Sequence, residues 1–124
     1  KWRAAIGAVI ITMLLFIISA FGIVLPSLEE YITIRPMAQK TIDVYDGISP
    51  IYIDKFVRPG MAFYSNIYGT EWNHAKAEDF ARPDKTYYLM TKSYYRRLCS
   101  QYPILQQYSV LAETSTQILV INHP

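Results

Sequence analysis

The sequence predicts an α/β (or α+β) protein with one N-terminal transmembrane helix followed by a small mixed-sheet domain with flanking helices. Two observations predict it. Ala4 to Leu25 reads AAIGAVIITMLLFIISAFGIVL without a charge. The rest of the chain alternates short β-branched or aromatic runs with helix-like segments punctuated by Pro and Gly. Length agrees, because 124 residues leave room for one span and one domain of roughly 100 residues. With 52% hydrophobic and 18% charged residues the chain is too apolar for disorder. The expected organisation is an anchor over 1–26, a connector and first external helix over 27–49, and an external α/β domain over 50–124.

The apolar run has 22 residues. As a helix it spans about 33 Å, enough for a hydrocarbon core of about 30 Å. Its hydroxyl residues, Thr12 and Ser19, can bond back to their own helix. A cleaved signal peptide is the rival reading, but its apolar core is only about 7–15 residues. This run is longer, and Pro26, Glu29 and Glu30 follow it in place of a small-residue cleavage site. Lys1 and Arg3 precede it, so the positive-inside rule places the N-terminus in the cytoplasm and the domain outside. Trp2 and Tyr31 stand where interfacial aromatics are expected. With Arg3, Ala4 and Ala8 they form the expected anchor set, Ala4 and Ala8 being a small-xxx-small pair that lets another helix approach.

Ser27 to Ile34 reads as a short connector. Pro36 suits the first turn of a helix, with Met37, Ile42 and Val44 as its apolar side, Gln39, Lys40 and Asp43 in water, and Asp46-Gly47 at its end. Ile51 to Val57 (IYIDKFV) reads as a strand and Arg58-Pro59-Gly60 as a turn. Met61 to Tyr64 reads as a short helix, Ile67-Tyr68 as a short strand, and Glu78 to Ala81 as a helical turn. Thr86 to Met90 is a further strand. Ser93 is the expected cap of a helix running to Gln101, with Tyr94, Leu98 and Cys99 at helical spacing. Tyr102-Pro103 stops it. Tyr108 to Ala112 and Gln117 to Ile121 read as a β-hairpin around Glu113 to Thr116.

The formal net charge is +2, and without Lys1 and Arg3 the rest carries ten basic against ten acidic residues. Bulk charge therefore gives no reason to expect nucleic acid. Cys99 is the one cysteine, which excludes an intramolecular disulfide and reads as a small packing residue on a helix. His74 and His123 are far apart and read as surface histidines. The glycines are scattered, with no phosphate loop, nucleophile elbow or His-Glu-x-x-His. Asp43 and Asp46 read as a solvated helix terminus. Tyrosines and cations interleave at Lys85 to Tyr88 and Lys92 to Arg97, a pattern that can stack bases or meet lipid phosphates, or simply mark an amphipathic strand and helix. No cofactor, metal or catalytic set is expected.

The order of motifs carries one resemblance. It runs from the apolar helix through Arg35-Pro36-Met37-Ala38, Ile51-Tyr52 and Arg58-Pro59-Gly60-Met61-Ala62-Phe63-Tyr64-Ser65-Asn66. It continues with Tyr87-Tyr88-Leu89-Met90, Tyr94-Tyr95-Arg96-Arg97-Leu98, Leu111-Ala112-Glu113-Thr114 and Ile118 to Asn122. This resembles the C-terminal end of bacterial polyprenyl-phosphate-sugar-dependent membrane glycosyltransferases, of the protein-mannosyltransferase and aminoarabinose-transferase type. The resemblance implies a last transmembrane helix leading into a small external α/β domain at the bacterial inner membrane, on its periplasmic or extracellular side. It implies sugar transfer by the whole enzyme, usually with a divalent cation, through a carboxylate in an external loop of a many-helix body. No such residue can be carried onto a position of this chain, so no turnover by the chain alone is expected.

Two readings follow. One is the non-catalytic external domain of such a transferase. The other is a single-pass accessory subunit of a larger membrane complex, for example an energy-transducing one, derived from that domain. A chain that starts at Lys1 without methionine is either processed or a segment of a longer protein. A processed pilin also begins with an apolar helix, but Pro26 and the lack of an early Glu count against it. The expected partners are the lipid bilayer and a larger membrane protein, met through Arg58, Phe63, Tyr64, Tyr68 and Trp72, residue types enriched in interface hot spots.

Overall fold

The computed structural model describes residues 1–123 and, within them, every side chain except those of Glu30, Tyr31 and Ile32. The interfacial role expected of the Tyr31 side chain therefore lies outside the described residues. The apolar run forms α1 (Trp2–Ser19), a π-helical turn (Ala20–Val24) and α2 (Leu25–Ile32). Together they make one helix long and apolar enough to cross a membrane, and no residue of α1 is buried by the domain. Pro26 accounts for the π turn. It has no N–H to give and its ring crowds the carbonyl four residues back. The Leu25 N–H instead reaches five back, to Ala20 O, and the chain stays helical through the proline. The connector expected over Ser27 to Ile34 is thus helical to Ile32 and shortens to Thr33-Ile34.

α3 (Arg35–Val44) carries Pro36 in its first turn as expected but faces differently. Met37, Ala38 and Thr41 are buried, while Ile42 and Val44 are exposed. Thr41 can enter the core because its hydroxyl donates to Met37 O within the helix (2.8 Å). The strands are β1 (Ile51–Asp54), β2 (Thr70–Trp72), β3 (Tyr87–Thr91), β4 (Ser109–Glu113) and β5 (Gln117–Ile121), in the order β2-β1-β3-β5-β4. The first three are mutually parallel, β5 is antiparallel to β3, and β4 forms the expected hairpin with β5, with a bulge between Val110 and Ala112.

Three boundaries depart from the sequence reading. β1 stops at Asp54, whose carboxylate turns inward to accept from Phe56 N (3.2 Å). Arg58-Pro59-Gly60 is the first turn of α4 (Arg58–Ser65) rather than a turn between elements, proline being at home there. The strand expected at Ile67-Tyr68 lies at β2, because left-handed Asn66 and Gly69 occupy the approach to it. α5 (Ala77–Phe80) and α6 (Lys92–Gln101) fall close to expectation, but Thr91, not Ser93, caps α6, accepting from Tyr94 N (3.4 Å). A short 3-10 helix (Pro103–Gln107) leads to β4.

Each face of the sheet has its own core. α3 and α4 cover one through Met37, Ala38, Val57 and Met61 against Ile51, Ile53, Tyr87, Leu89, Leu119 and Ile121. α5, α6 and the 3-10 helix cover the other through Phe80, Leu98 and Leu105 against Trp72, Tyr88, Met90, Ile118 and Val120. Alternate residues of β3 and β5 divide between the two cores, as the period of two requires.

Candidate functional site: a crevice at the strand ends and an aromatic helix face

The topology creates a crevice. From β1 the chain goes through α4 to β2 on one side. From β2 it returns through α5 to β3 on the other side of β1. The helices that follow β1 and β3 leave for opposite faces of the sheet, so the chain parts at the carboxyl ends of these neighbouring strands. That is where open α/β sheets bind ligands. A cavity of about 410 Å³ opens there, lined by Asp54 at the end of β1 and Phe56 just after it, His74 after β2, and Tyr94, Arg97 and Gln101 on α6. A second lobe of about 290 Å³ shares Asp54, Phe56, Tyr94 and Arg97 and reaches Thr91 and Ser93.

Asp54 sits at the base, 7% exposed. One carboxylate oxygen takes the Phe56 N–H, and among the described residues no cation lies within salt-bridge distance of the carboxylate. The two nearby cations are held on rings instead. Lys55 Nζ lies 4.9 Å from the Phe56 ring centre and the Arg97 guanidinium 4.9 Å from that of Tyr94. Tyr94 is itself fixed, accepting from Ala75 N (3.3 Å) and meeting Trp72 edge-on at 5.9 Å. Asp79 anchors the loop below by accepting from Lys76 N (2.8 Å) and Trp72 Nε1 (3.2 Å). The crevice thus offers one carboxylate and two cations with no ion pair among them. Among the described residues no three His, Cys, Asp or Glu side chains group as metal ligands.

The expected partner surface is rebuilt in part. Arg58, Phe63 and Tyr64 belong to α4, and Tyr68 is tied to it where Arg58 Nε donates to Tyr68 O (2.9 Å); Arg58 also meets Glu71 at 3.4 Å. Phe63 is 81% exposed and edge-on to Tyr64, and Tyr68 is exposed. Trp72 does not belong with them. It is buried on the opposite face among Tyr52, Phe80, Tyr88 and Tyr94. Trp2, Arg3, Ala4 and Ala8 are exposed on α1. Of the crevice residues, the interleaved run Lys92 to Arg97 had signalled Tyr94 and Arg97. Asp54 had no signal beyond closing the run IYID, and His74 none.

Searches against protein-family models, curated proteins and solved structures found no significant match for this chain.

Proposed function

We propose that this chain is a non-catalytic external domain, held at the membrane by its N-terminal helix, that docks onto a larger membrane protein. It would act as the C-terminal domain of a lipid-linked-sugar glycosyltransferase does. The observation that carries this reading is the division of apolar surface. The sheet completes a core on each face without α1, so the long apolar helix serves the bilayer and its neighbours. α4 meanwhile leaves Phe63 and Tyr64 in the open. Its first turn meets the end of the long apolar helix's connector, where Gly60 packs against Ile34, and Phe63 and Tyr64 follow one turn further along α4. Lys1 and Arg3 against Glu29 favour the N-terminus in the cytoplasm and the domain on the outer side of a bacterial inner membrane.

Photo-crosslinking from position 63 in membranes tests the docking. A discrete adduct with a larger membrane protein, lost on Tyr64→Ala, is the expected result; lipid adducts alone would sink the reading. Orientation is read with Ile48→Cys in a Cys99→Ser background, since Ile48 is 91% exposed. An impermeant thiol reagent should label it in intact cells, and labelling only after lysis reverses the topology. Purified chain should transfer no sugar from a lipid-linked donor, and metal-dependent transfer would make it an enzyme.

A further inference from the structure

The crevice opens at the end of the domain that the membrane helix enters. α3 fixes this polarity. At its start Ile34 packs on Gly60, in the helix that leaves the carboxyl end of β1. Just past its end Tyr45 meets Tyr87, at the amino end of β3 (ring centres 5.1 Å apart). The membrane helix joins α3 through Thr33 and Ile34 alone, so the carboxyl ends of β1 and β3 share its end of the domain. Phe56 stands there with 80% of its surface exposed, at the mouth of the crevice. An exposed Phe beside Lys suits the interfacial layer of a bilayer.

The charges then say what fits. Arg97 and Lys55 sit on aromatic rings, unpaired with Asp54, and guanidinium and ammonium groups so placed can meet a phosphodiester. Asp54 can only accept, so a ligand reaching it must bring O–H or N–H donors. Two cations against one carboxylate favour an occupant with one net negative charge. We propose that the crevice binds the headgroup of an anionic phospholipid, with its phosphodiester between Arg97 and Lys55 and its hydroxyls donating to Asp54. A glycerol headgroup meets these needs, whereas a choline headgroup has no O–H or N–H to give. A cavity of about 410 Å³ has room for such a group. The proposal rests on the membrane anchoring of the helix and is independent of the docking partner.

The test uses the full chain in nanodiscs and follows the backbone amide resonances of Asn73, His74, Arg97 and Gln101. In phosphatidylcholine alone these define the free site. Adding phosphatidylglycerol should shift them in a saturable way. Arg97→Gln should abolish the shifts and Asp54→Asn should weaken them several-fold, while the rest of the spectrum keeps its folded dispersion. Identical spectra in the two lipid mixtures overturn the proposal, as do wild-type shifts in Arg97→Gln. Free glycerophosphoglycerol is the second arm, added to phosphatidylcholine discs. Shifts from it that phosphatidylglycerol discs fail to reproduce would assign the site to a soluble phosphodiester and overturn the lipid source. Failure of the chain to enter nanodiscs would tell against the anchoring instead.

Discussion

Two residues show how local chemistry escapes a reading of the sequence. Gly60 follows proline and looks like part of a turn, yet it lies inside α4 for want of a side chain. A methyl there would overlap Ile34 Cγ2. Gly60→Ala should therefore cost about 1–3 kcal/mol, as overpacking does, and lower the thermal midpoint. Adding Ile34→Ala should recover part of the loss, and additive losses in the double-mutant cycle would break the link. Asp46 looks like a helix end, yet it organises the loop into β1. Its carboxylate accepts from Ile48 N (3.0 Å), Ser49 N (2.9 Å) and Ser49 Oγ (2.7 Å), and pairs with Lys85 at 3.1 Å. The Ser49 side chain leads in holding its carboxyl well below the usual aspartate range, with the backbone bonds and Lys85 adding to it. A group whose folded value is depressed stabilises above its unfolded value, near 3.8, and loses that contribution as pH falls through the folded value. Asp46→Asn should flatten the fall in stability below that point and cost most near neutrality, where the carboxylate contributes in full, measured by urea unfolding across pH. An unchanged acid slope would refute it.

At the scale of elements, most of what the sequence announced by periodicity is present, while punctuation held at Pro36 and Tyr102-Pro103 and moved at Pro26, Arg58-Pro59-Gly60 and Ser93. β3, β5 and α6 declare themselves by β-branched or aromatic runs and by Tyr94, Leu98 and Cys99 at helical spacing. Pro26 marked a break and is absorbed by a π turn, because one longer hydrogen bond costs less than ending a helix in an apolar environment. The α6 cap moved two residues, from Ser93 to Thr91, because Thr91 closes β3 in an extended conformation (ψ 150°) that only a residue outside the helix adopts. The cap gives a paired prediction. Thr91→Ala should destabilise the domain by about 1 kcal/mol, while Ser93→Ala stays within about 0.5 kcal/mol. Equal losses by chemical denaturation would return the cap to Ser93. The crevice was half legible for the same reason. Tyr94 and Arg97 belong to a periodic helix, whereas Asp54 closes β1 and His74 follows β2, two places that only the strand order brings together.

For the molecule as a whole, the fold class was readable because the long apolar helix and the domain make different demands on sequence. A span needs only unbroken apolarity. The domain needs residues that alternate between two cores, and Tyr87, Leu89, Leu119 and Ile121 on one side with Tyr88, Met90, Ile118 and Val120 on the other supply it. The many tyrosines, which composition alone left to be shared between core and surface, follow this division. Tyr88 is fully buried and bonds Asp79 O, and Tyr108 bonds Phe80 O (2.6 Å), so their polar tips are satisfied inside the second core.

This division also sets what the domain owes to its anchor. No residue of α1 is buried, and the contacts that close the first core begin at Ile34 and Met37. A chain beginning at Thr33 keeps Ile34 against Gly60 and, among the described residues, every buried one of both cores. It should remain folded and monomeric, with a stability within about 0.5 kcal/mol of the full chain, the range for changes that touch no core. Urea unfolding of both proteins in the same mild detergent checks this. A second cut at Tyr45 removes α3 and with it Met37, Ala38 and Thr41, exposing one face of the sheet. That shorter chain should fail to unfold cooperatively and should bind hydrophobic dyes. If instead the chain from Thr33 were the one to lose cooperativity, the membrane helix would be part of the folding unit, and the separation of anchor from domain would be wrong.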